Sequence, residues 1–198
     1  MYKFILASAS PRRKAILEKL NIPFEVMISG AEESVCLEHS PYEWVRILSV
    51  RKATAVEDSV KGPAVIIGAD TIVTYLGKIL NKPANEDDAF SMLRQLSGKK
   101  HTVYTGMTLI FIDKNGNREV DSYVDATEVT MAAISDEEIK SYISTGEYAD
   151  KAGGYAVQGK SSIFIESIYG SYDTVVGLPT NVLYKALKDH GIDIAQYW

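Results

Sequence analysis

The chain has 198 residues, of which 46% are hydrophobic, and it carries a formal net charge of −5 at pH 7. This apolar content supports a packed core and excludes an intrinsically disordered chain. The negative charge argues against a general binder of nucleic acids or anionic membranes, so any anion site must be a local basic pocket. The single cysteine, Cys36, excludes an intrachain disulfide, and the scattered histidines argue against a structural zinc site.

The N-terminal region lacks the features of a membrane or export segment. No apolar run reaches the ~20 residues that a transmembrane helix needs. The apolar run after Lys3 is too short for a signal peptide, and Arg12, Arg13 and Lys14 interrupt it. A cytoplasmic protein is therefore expected. Because no linker or internal repeat divides the chain, one domain over residues 1–198 is expected.

Strands and helices alternate in the first part of the chain. The clearest helix start is a capping box formed by Ser40 and Glu43, with Pro41 at the first helical position. The periodicity of the apolar residues predicts the other elements. In chain order they are strand 2–7, helix 11–20, strand 24–29, helix 41–58, strand 64–73, a hairpin tip at 75–79 and helix 86–96.

Hairpins dominate the rest of the chain. Asn115–Asn117, with its central glycine, is a strong turn signal between two β-rich runs. The predicted elements are strands 103–112 and 118–133, helix 136–144, strands 163–168 and 172–176, and a last helix that follows 177–179 and ends at Gly191. This order predicts an α/β fold in which helices pack on a mixed sheet.

The first predicted helix begins with unusual charges. Ser10 is suited to the N-cap and Pro11 to the first helical position, but Arg12, Arg13 and Lys14 follow. A helix N-terminus carries partial positive charge and prefers acidic residues, as in the helices predicted to start at 86 and 136. A basic turn after a loop of small residues is typical of a phosphate site. A solvated basic turn is the alternative.

The cations of this turn also predict an effect on stability. A cation in the first turn of a helix repels the helix dipole by ~0.3–1 kcal/mol. Replacing Arg13 with alanine is therefore expected to leave the stability of the unliganded protein unchanged or raised. The expected cost is a loss of triphosphate binding or of transition-state stabilisation.

Lys52 lies on the apolar side of a predicted helix. Val45, Leu48 and Val56 form an apolar stripe at helical spacing, and Lys52 falls on it. A lysine that faces the core needs an anion as partner. Alternatively, its ammonium group extends to the solvent at the edge of the stripe.

Asp70 interrupts an otherwise apolar strand. A carboxylate there is a metal ligand, a general base or half of an ion pair, unless it only bonds a neighbouring turn. Lys82, between Asn81 and Pro83, is a candidate either to neutralise Asp70 or to bind the same phosphate. Glu33, in the loop after the second strand, is a candidate second acid at the site, or part of a solvated loop.

Together these residues suit phosphoryl chemistry, which needs cations on the phosphates and a carboxylate to hold a metal or orient water. Other classes are excluded. The chain lacks the glycine-rich Gly-x-x-x-x-Gly-Lys-[Ser/Thr] loop of P-loop NTPases. It also lacks Gly-x-Ser-x-Gly, and Cys36 has no convincing histidine partner, which argues against nucleophilic acyl transfer.

Four segments resemble motifs of the Maf (septum formation inhibitor) nucleotide pyrophosphatases: 6–13 (Leu-Ala-Ser-Ala-Ser-Pro-Arg-Arg), 68–73 (Gly-Ala-Asp-Thr-Ile-Val), 81–83 (Asn-Lys-Pro) and 151–159 (Lys-Ala-Gly-Gly-Tyr-Ala-Val-Gln-Gly). The motif order agrees over nearly the whole length. The resemblance implies a fold similar to the inosine triphosphate pyrophosphatases (HAM1), with a long bent mixed sheet, flanking helices and two lobes around a cleft. It implies hydrolysis of a nucleoside triphosphate to the monophosphate and pyrophosphate with a divalent cation, magnesium or manganese.

The resemblance also assigns roles to residues. Asp70 is implied as the proton acceptor, with Lys52 and Lys82 as further catalytic residues. The other implied roles are phosphate binding by Ser8, Arg12 and Arg13, metal binding by Glu33 and Asp70, and base specificity through Arg12, Thr71 and Gln158. The last three match the branch of the family that is similar to dTTP/UTP pyrophosphatases. A homodimer is a further family-level expectation.

Gln158 suits the recognition of a pyrimidine. Its amide offers both a donor and an acceptor, which complements the imide edge of uracil or thymine. The rival hypothesis is a nucleotide-binding regulator of cell division that does not hydrolyse its ligand. Only the enzyme needs Asp70 to be chemically competent, so pyrophosphate release from UTP discriminates between the two.

Overall fold

The computed structural model describes residues 1–31 and 39–198. Short 3₁₀ turns lie at Ala152–Gly154, Lys160–Phe164 and Ile194–Tyr197. The strands in these residues are β1 (Lys3–Leu6), β2 (Phe24–Val26), β3 (Ala64–Tyr75), β4 (Lys78–Leu80), β5 (Lys100–Ile112), β6 (Arg118–Met131) and β7 (Ile165–Tyr169). The helices are α1 (Pro11–Lys19), α2 (Pro41–Glu57), α3 (Glu86–Leu96), α4 (Asp136–Ile143), α5 (Tyr172–Val176) and α6 (Thr180–Asp189).

The strands form a mixed sheet. Within the described residues its order is β2-β1-β3-β5-β6-β7, and β4 pairs with β3 outside this path. Strand β1 runs parallel to both β2 and β3, whereas β3–β4 and β6–β7 are antiparallel pairs. Parallel pairs joined through helices, followed by hairpins, are the arrangement that the order of elements predicted. The predicted mixed α/β fold is confirmed.

The chain divides into two compact units. Unit 1 comprises Met1–Asp70, Thr105–Asp125 and Gly177–Trp198, and unit 2 comprises Thr71–Tyr104 and Ala126–Val176. Each unit has its own cluster of buried apolar side chains. The division agrees with the predicted two lobes. Since the boundaries fall inside β3, β5 and β6, both units are built on the same long strands.

Side-chain caps define the helix starts that the sequence predicted. Ser40 accepts a hydrogen bond from the backbone N–H of Glu43, whose carboxylate accepts one from the N–H of Ser40. Ser135 and Glu138 form the same box at the start of α4. The predicted capping box at Ser40 is therefore confirmed, and the helix predicted to start at 136 begins with a second one. Along the described part of the chain, no helix is both long and apolar enough to cross a membrane.

One predicted element is wrong. Residues 172–176 form helix α5, although their β-branched composition predicted a strand. The cause is a distant side chain: Thr127 Oγ1 donates to the carbonyl of Ser171 (3.2 Å) and accepts from its N–H (3.0 Å). The N–H of Val175 then donates to the same carbonyl over one helical turn (3.4 Å). These bonds replace the ladder that a strand would need.

Candidate active site

The loop after β1 lies beside the segment of β3 that contains Asp70. The parallel register pairs Leu6 with Ile67, and the N–H of Ala7 donates to the Ile67 carbonyl (2.9 Å). Carboxyl ends of parallel strands meet at one edge of a sheet, which is where ligands bind in α/β folds. The predicted phosphate loop therefore leaves β1 beside the stretch of β3 that leads to the predicted acid, Asp70.

Ser8 organises this loop. Its side chain is buried, and its Oγ accepts from the N–H of Ser10 (3.2 Å) and from Nη1 of Arg13 (3.1 Å). Ser10 occupies the N-cap and Pro11 the first helical position, as predicted, but the Ser10 side chain makes no capping bond. The first turn of α1 also contains no acidic residue. The first turn itself thus offers the helix dipole no acidic side chain, which suits an anionic ligand.

Arg13 is held by the protein fold. Its side chain is only 8% exposed, and its Nε donates to the carbonyl of Gly177 (2.8 Å). With the bond to Ser8, the guanidinium links the loop, α1 and the segment before α6. These contacts argue against the expectation that removing Arg13 leaves the unliganded protein equally stable. Arg12, in the same turn, is half-buried.

Lys52 and Asp70 form a buried ion pair in unit 1. Lys52 Nζ lies 2.5 Å from Asp70 Oδ1, and the two residues are 7% and 9% exposed. Of the two alternatives for Lys52, the structure therefore shows the lysine that faces inward and meets an anion. Asp70 is half of an ion pair, and the lysine that meets it comes from α2. Lys82 is exposed in unit 2.

Two glycines let α2 approach the sheet closely enough to form this pair. A Cβ on Gly68 would lie 2.5 Å from the Ser49 carbonyl oxygen and 2.6 Å from the Ala53 nitrogen. Gly106 on β5 leaves similar room for the backbone at Val45. Since residues two apart on a strand face the same side, Asp70 points to the side where α2 lies over Gly68. Lys52, between Ser49 and Ala53, reaches it.

In unit 2 the structure brings together two of the recognised segments. The N–H of Gly153 donates to the carbonyl of Asn81 (3.1 Å). A Cβ on Gly154 would lie 3.4 Å from Pro83 Cγ. Both glycines have positive φ, so larger residues would strain the backbone there. Segments 81–83 and 151–159 are therefore packed on each other.

The base-specificity candidates differ in exposure. Gln158 is exposed, at the tip of a turn closed by a hydrogen bond from the Gly159 N–H to the Ala156 carbonyl (3.0 Å). Thr71, which directly follows Asp70 along β3, is half-buried. An exposed glutamine on a closed turn is available to a ligand, and its backbone has a defined position.

A buried histidine anchors the strand end next to this turn. His101 Nε2 lies 2.6 Å from the Tyr155 hydroxyl. Burial lowers the pKa of His101 to about 4 and raises the pKa of Tyr155 well above its usual value. The Tyr155 hydroxyl therefore stays protonated and donates a hydrogen bond to the neutral imidazole of His101. His101 is therefore a packing residue of unit 2.

The structure describes one of the two predicted metal ligands. Asp70 lies in the buried ion pair with Lys52, whereas Glu33 lies outside the described residues. Across residues 1–31 and 39–198, no group of three or more histidine, cysteine, aspartate or glutamate side chains is placed to hold a metal ion. Of the two predicted metal ligands, the described residues therefore include only Asp70.

Comparison with known proteins supports the sequence motifs. The family model for Maf-like proteins matches residues 3–190. The chain belongs to the Maf-like protein family. A dTTP/UTP pyrophosphatase of Bacillus cereus (strain G9842) is 46% identical over 194 residues, which cover 98% of each chain. A dTTP/UTP pyrophosphatase of Bacillus thuringiensis subsp. konkukian (strain 97-27) shows the same identity and coverage.

Among solved structures, the Staphylococcus aureus Ham1 protein matches with a TM-score of 0.45 and 10% sequence identity. The match covers 95% of this chain and 99% of that one. The family model and the 46% identical relatives confirm the predicted family.

Sequence reasoning missed several residues that shape the site. Gly68 carried a signal, since an isolated glycine inside a strand often marks close backbone approach. Glu147 and Ser161, which bond the Gln158 turn, carried none, because a glutamate after a helix and a serine in a loop are typical of solvated residues. Their contacts became visible only in the folded chain.

Proposed function

We propose that this protein is a nucleoside triphosphate pyrophosphatase that hydrolyses dTTP and UTP to the nucleoside monophosphate and pyrophosphate. Full-length relatives at 46% identity are named for that activity. The observation that carries the proposal is the buried ion pair between Lys52 of α2 and Asp70 of β3, the strand that pairs with β1 just before the loop to the cationic start of α1. A buried carboxylate is costly unless it is paired, and Lys52 supplies that pairing at a position where an acid can take a proton or hold a metal.

The cationic turn is proposed to bind the triphosphate. Ser8, Arg12 and Arg13 provide a hydroxyl and two guanidinium groups at a helix start without acidic residues. Guanidinium groups match phosphate oxygens in a fork geometry and stay charged at all relevant pH values. An incoming triphosphate thus supplies the negative charge that the first turn of α1 lacks. Lys82 is proposed to bind a further phosphate oxygen.

Asp70 is proposed as the acceptor of the proton from the attacking water. The water oxygen forms a bond to the α-phosphorus, the bond from that phosphorus to the bridging α–β oxygen breaks, and pyrophosphate leaves with the bonding electrons. The water's proton passes to Asp70 Oδ and then to solvent. Lys52 fixes the carboxylate by its 2.5 Å contact and balances its charge, so that Asp70 is aligned before the nucleotide binds.

A divalent cation fits this arrangement as part of the substrate complex. Mg²⁺ in nucleotide sites is usually bound by one or two carboxylates together with phosphate oxygens, and not by a cage of protein ligands. One buried carboxylate, Asp70, at a phosphate-binding edge meets that requirement. Such a cation spreads the charge that develops on the phosphates. Magnesium or manganese is proposed, with Glu33 as the second carboxylate.

Base selection is proposed to depend on Gln158, with Thr71 and Arg12 as further contributors. The exposed amide of Gln158 can accept the N3–H of uracil or thymine and donate to a neighbouring carbonyl. Cytosine lacks the N3–H and presents an acceptor there. In the orientation that accepts the N3–H, the amide pairs with an imide edge and not with cytosine, which supports the preference for dTTP and UTP.

The decisive experiment is pyrophosphate release by the purified protein from dTTP, UTP, CTP and GTP, with magnesium or manganese present. Release from dTTP and UTP in preference to the others is expected. Tight binding of UTP without any release would instead support the rival hypothesis, a non-hydrolysing regulator of cell division. The homodimer also stays a prediction, and sedimentation of the full chain tests it.

A further inference from the structure

The turn that carries Gln158 is held by two side chains outside the recognised motif. Ser161 is fully buried, and its Oγ accepts from the N–H of Ala156 and donates to the carbonyl of the same residue, both at 2.9 Å. The Ala156 carbonyl also accepts the N–H of Gly159 (3.0 Å), which closes the turn. One hydroxyl thus satisfies both backbone groups at the first residue of the turn.

Glu147 holds the other end of the turn. Its Oε2 accepts from the backbone N–H of Lys160 (3.0 Å), two residues after Gln158. The Tyr142 hydroxyl donates to Oε1 at 3.4 Å. The carboxylate sits directly against Gly159, where even an added Cβ would overlap Oε1. The glycine leaves the space that the carboxylate occupies.

Ser161 and Glu147 hold the backbone of the turn and not the side chain of Gln158. They bond backbone groups on either side of Gln158, and neither is hydrogen-bonded to its amide. They therefore fix where the glutamine starts without competing for its donor or acceptor. A group that must read a base edge gains from a fixed backbone, because a shift of one ångström is enough to break paired hydrogen bonds.

We infer that Glu147 and Ser161 are positioning residues that set base selectivity by holding the Gln158 turn. The inference rests on the proposed function of Gln158. It predicts that loosening the turn lowers the ratio of kcat/KM for UTP to that for CTP by about tenfold, the size of one lost hydrogen bond to a base. The maximal rate with UTP changes much less, since the turn carries no group proposed for water attack.

The contact between Glu147 and Gly159 permits a double-mutant cycle. Glu147→Ala removes the carboxylate, whereas Gly159→Ala displaces it, because the new Cβ takes its place. The backbone at Gly159 (φ −103°) is open to alanine, so the substitution adds no strain of its own. Each single variant is expected to lower the UTP/CTP ratio, and the double variant to lower it no further than Glu147→Ala.

Ser161 has a matched control in its neighbour. Ser161→Ala removes the hydroxyl that bonds Ala156, whereas Ser162→Ala removes an exposed one. The first is expected to lower the UTP/CTP ratio by about tenfold and the second to leave it unchanged. Glu147→Gln keeps an oxygen that can accept the Lys160 N–H and is expected to restore most of the selectivity that Glu147→Ala loses.

The outcomes separate this inference from the proposed function. If the unaltered protein releases no pyrophosphate from UTP, the proposed function fails and this inference fails with it. If the unaltered protein prefers UTP to CTP and melting curves show folded variants, equal ratios in Ser161→Ala and Ser162→Ala overturn the inference alone. Additive effects of Glu147→Ala and Gly159→Ala would likewise overturn it, since they would show that the carboxylate and the glycine act independently.

Discussion

The Lys52–Asp70 pair and the Gln158 turn each fix the position of a candidate site residue, but through different contacts. The pair is buried, and helix α2 packed on glycines of β3 and β5 brings its two charges to 2.5 Å. Gln158 is exposed, and backbone bonds to Ser161 and Glu147 hold its turn. One region is fixed by packing and opposite charge, the other by hydrogen bonds to the main chain.

The difference corresponds to the tasks we propose. Water attack is the same for every nucleotide, so its acid belongs in a rigid core where strands and a helix determine its position. A base reader must face an open side to meet its ligand, and a loop provides that exposure. Variants in the first region should affect all nucleotides equally, and variants in the second should change their ranking.

The largest effect is expected from Asp70→Asn. The amide keeps the shape of the side chain but cannot take a proton, so kcat should fall by roughly 10²-fold or more with all four nucleotides. The UTP/CTP ratio should stay unchanged. Steady-state pyrophosphate release measures both, and equilibrium binding of UTP shows whether the site still forms. A folded variant with near-normal kcat would remove Asp70 from the mechanism.

Gln158→Glu should produce the opposite pattern. The carboxylate keeps the acceptor but loses the donor, which leaves a base carbonyl unpaired at a cost of ~1–3 kcal/mol. We expect kcat/KM for UTP and dTTP to fall by about one to two orders of magnitude, and more than for GTP. Gln95→Glu adds the same charge at an exposed position of α3 and serves as the control. An equal loss with every nucleotide would show that Gln158 does not read the base.

Local signals allowed much of the fold to be predicted. The capping boxes at Ser40 and Ser135 bond only residues three positions away, so sequence spacing predicts them. Helix α5 was missed because Thr127, 44 residues earlier, satisfies the backbone of Ser171. Short apolar segments are ambiguous until such distant partners are known.

The candidate site shows the same limit. Charge and strand context marked Asp70 and Lys52 as unusual, but they are 18 residues apart and Lys82 was an equally good partner by sequence. Asp70 pairs with Lys52 because α2 packs closely over Gly68, and that packing is a property of the folded core. Residues whose side chains bond only the backbone, such as Ser161, leave no pattern in the sequence around them.

Gly68→Ala tests whether packing holds the ion pair. The added Cβ would lie 2.5 Å from the Ser49 carbonyl oxygen, so α2 must move away from β3. Such overpacking typically costs 1–3 kcal/mol. We expect about that loss of unfolding free energy in urea, together with a lower kcat and an unchanged UTP/CTP ratio. Gly30→Ala, where an added Cβ meets nothing within 4 Å, is the control for stability.

The buried His101–Tyr155 contact, in the same unit as the Gln158 turn, predicts how stability depends on pH. Burial lowers the pKa of folded His101 from 6.5 to about 4, so between these values the unfolded chain binds more protons than the folded one. Stability contributed by the neutral imidazole is therefore lost as pH falls, by about 2 kcal/mol between pH 7 and pH 5. Urea unfolding at both pH values should show a smaller difference in His101→Gln. His39→Gln, at an exposed position, is the control and should lose as much stability between pH 7 and pH 5 as the unaltered protein. If His101→Gln also loses that much, His101 is not the cause of the pH dependence.

Arg13→Ala should change the unfolding free energy least, and whether it lowers or raises that energy separates two effects. Considered alone, a cation at a helix start is unfavourable by ~0.3–1 kcal/mol, so its removal should stabilise the chain. The structure adds buried bonds from Arg13 to the Gly177 carbonyl and to Ser8, and a buried acceptor left without its donor costs ~1–3 kcal/mol. The second effect is larger, so we expect a net loss of about 1 kcal/mol without ligand. Lys14→Ala is the control, because it removes an exposed cation from the same turn. It should cost no more unfolding free energy than its weak ion pair with Glu18 contributes.

Equal or higher stability of Arg13→Ala in urea would show that dipole repulsion outweighs the hydrogen bonds, and that Arg13 is retained only for the phosphate.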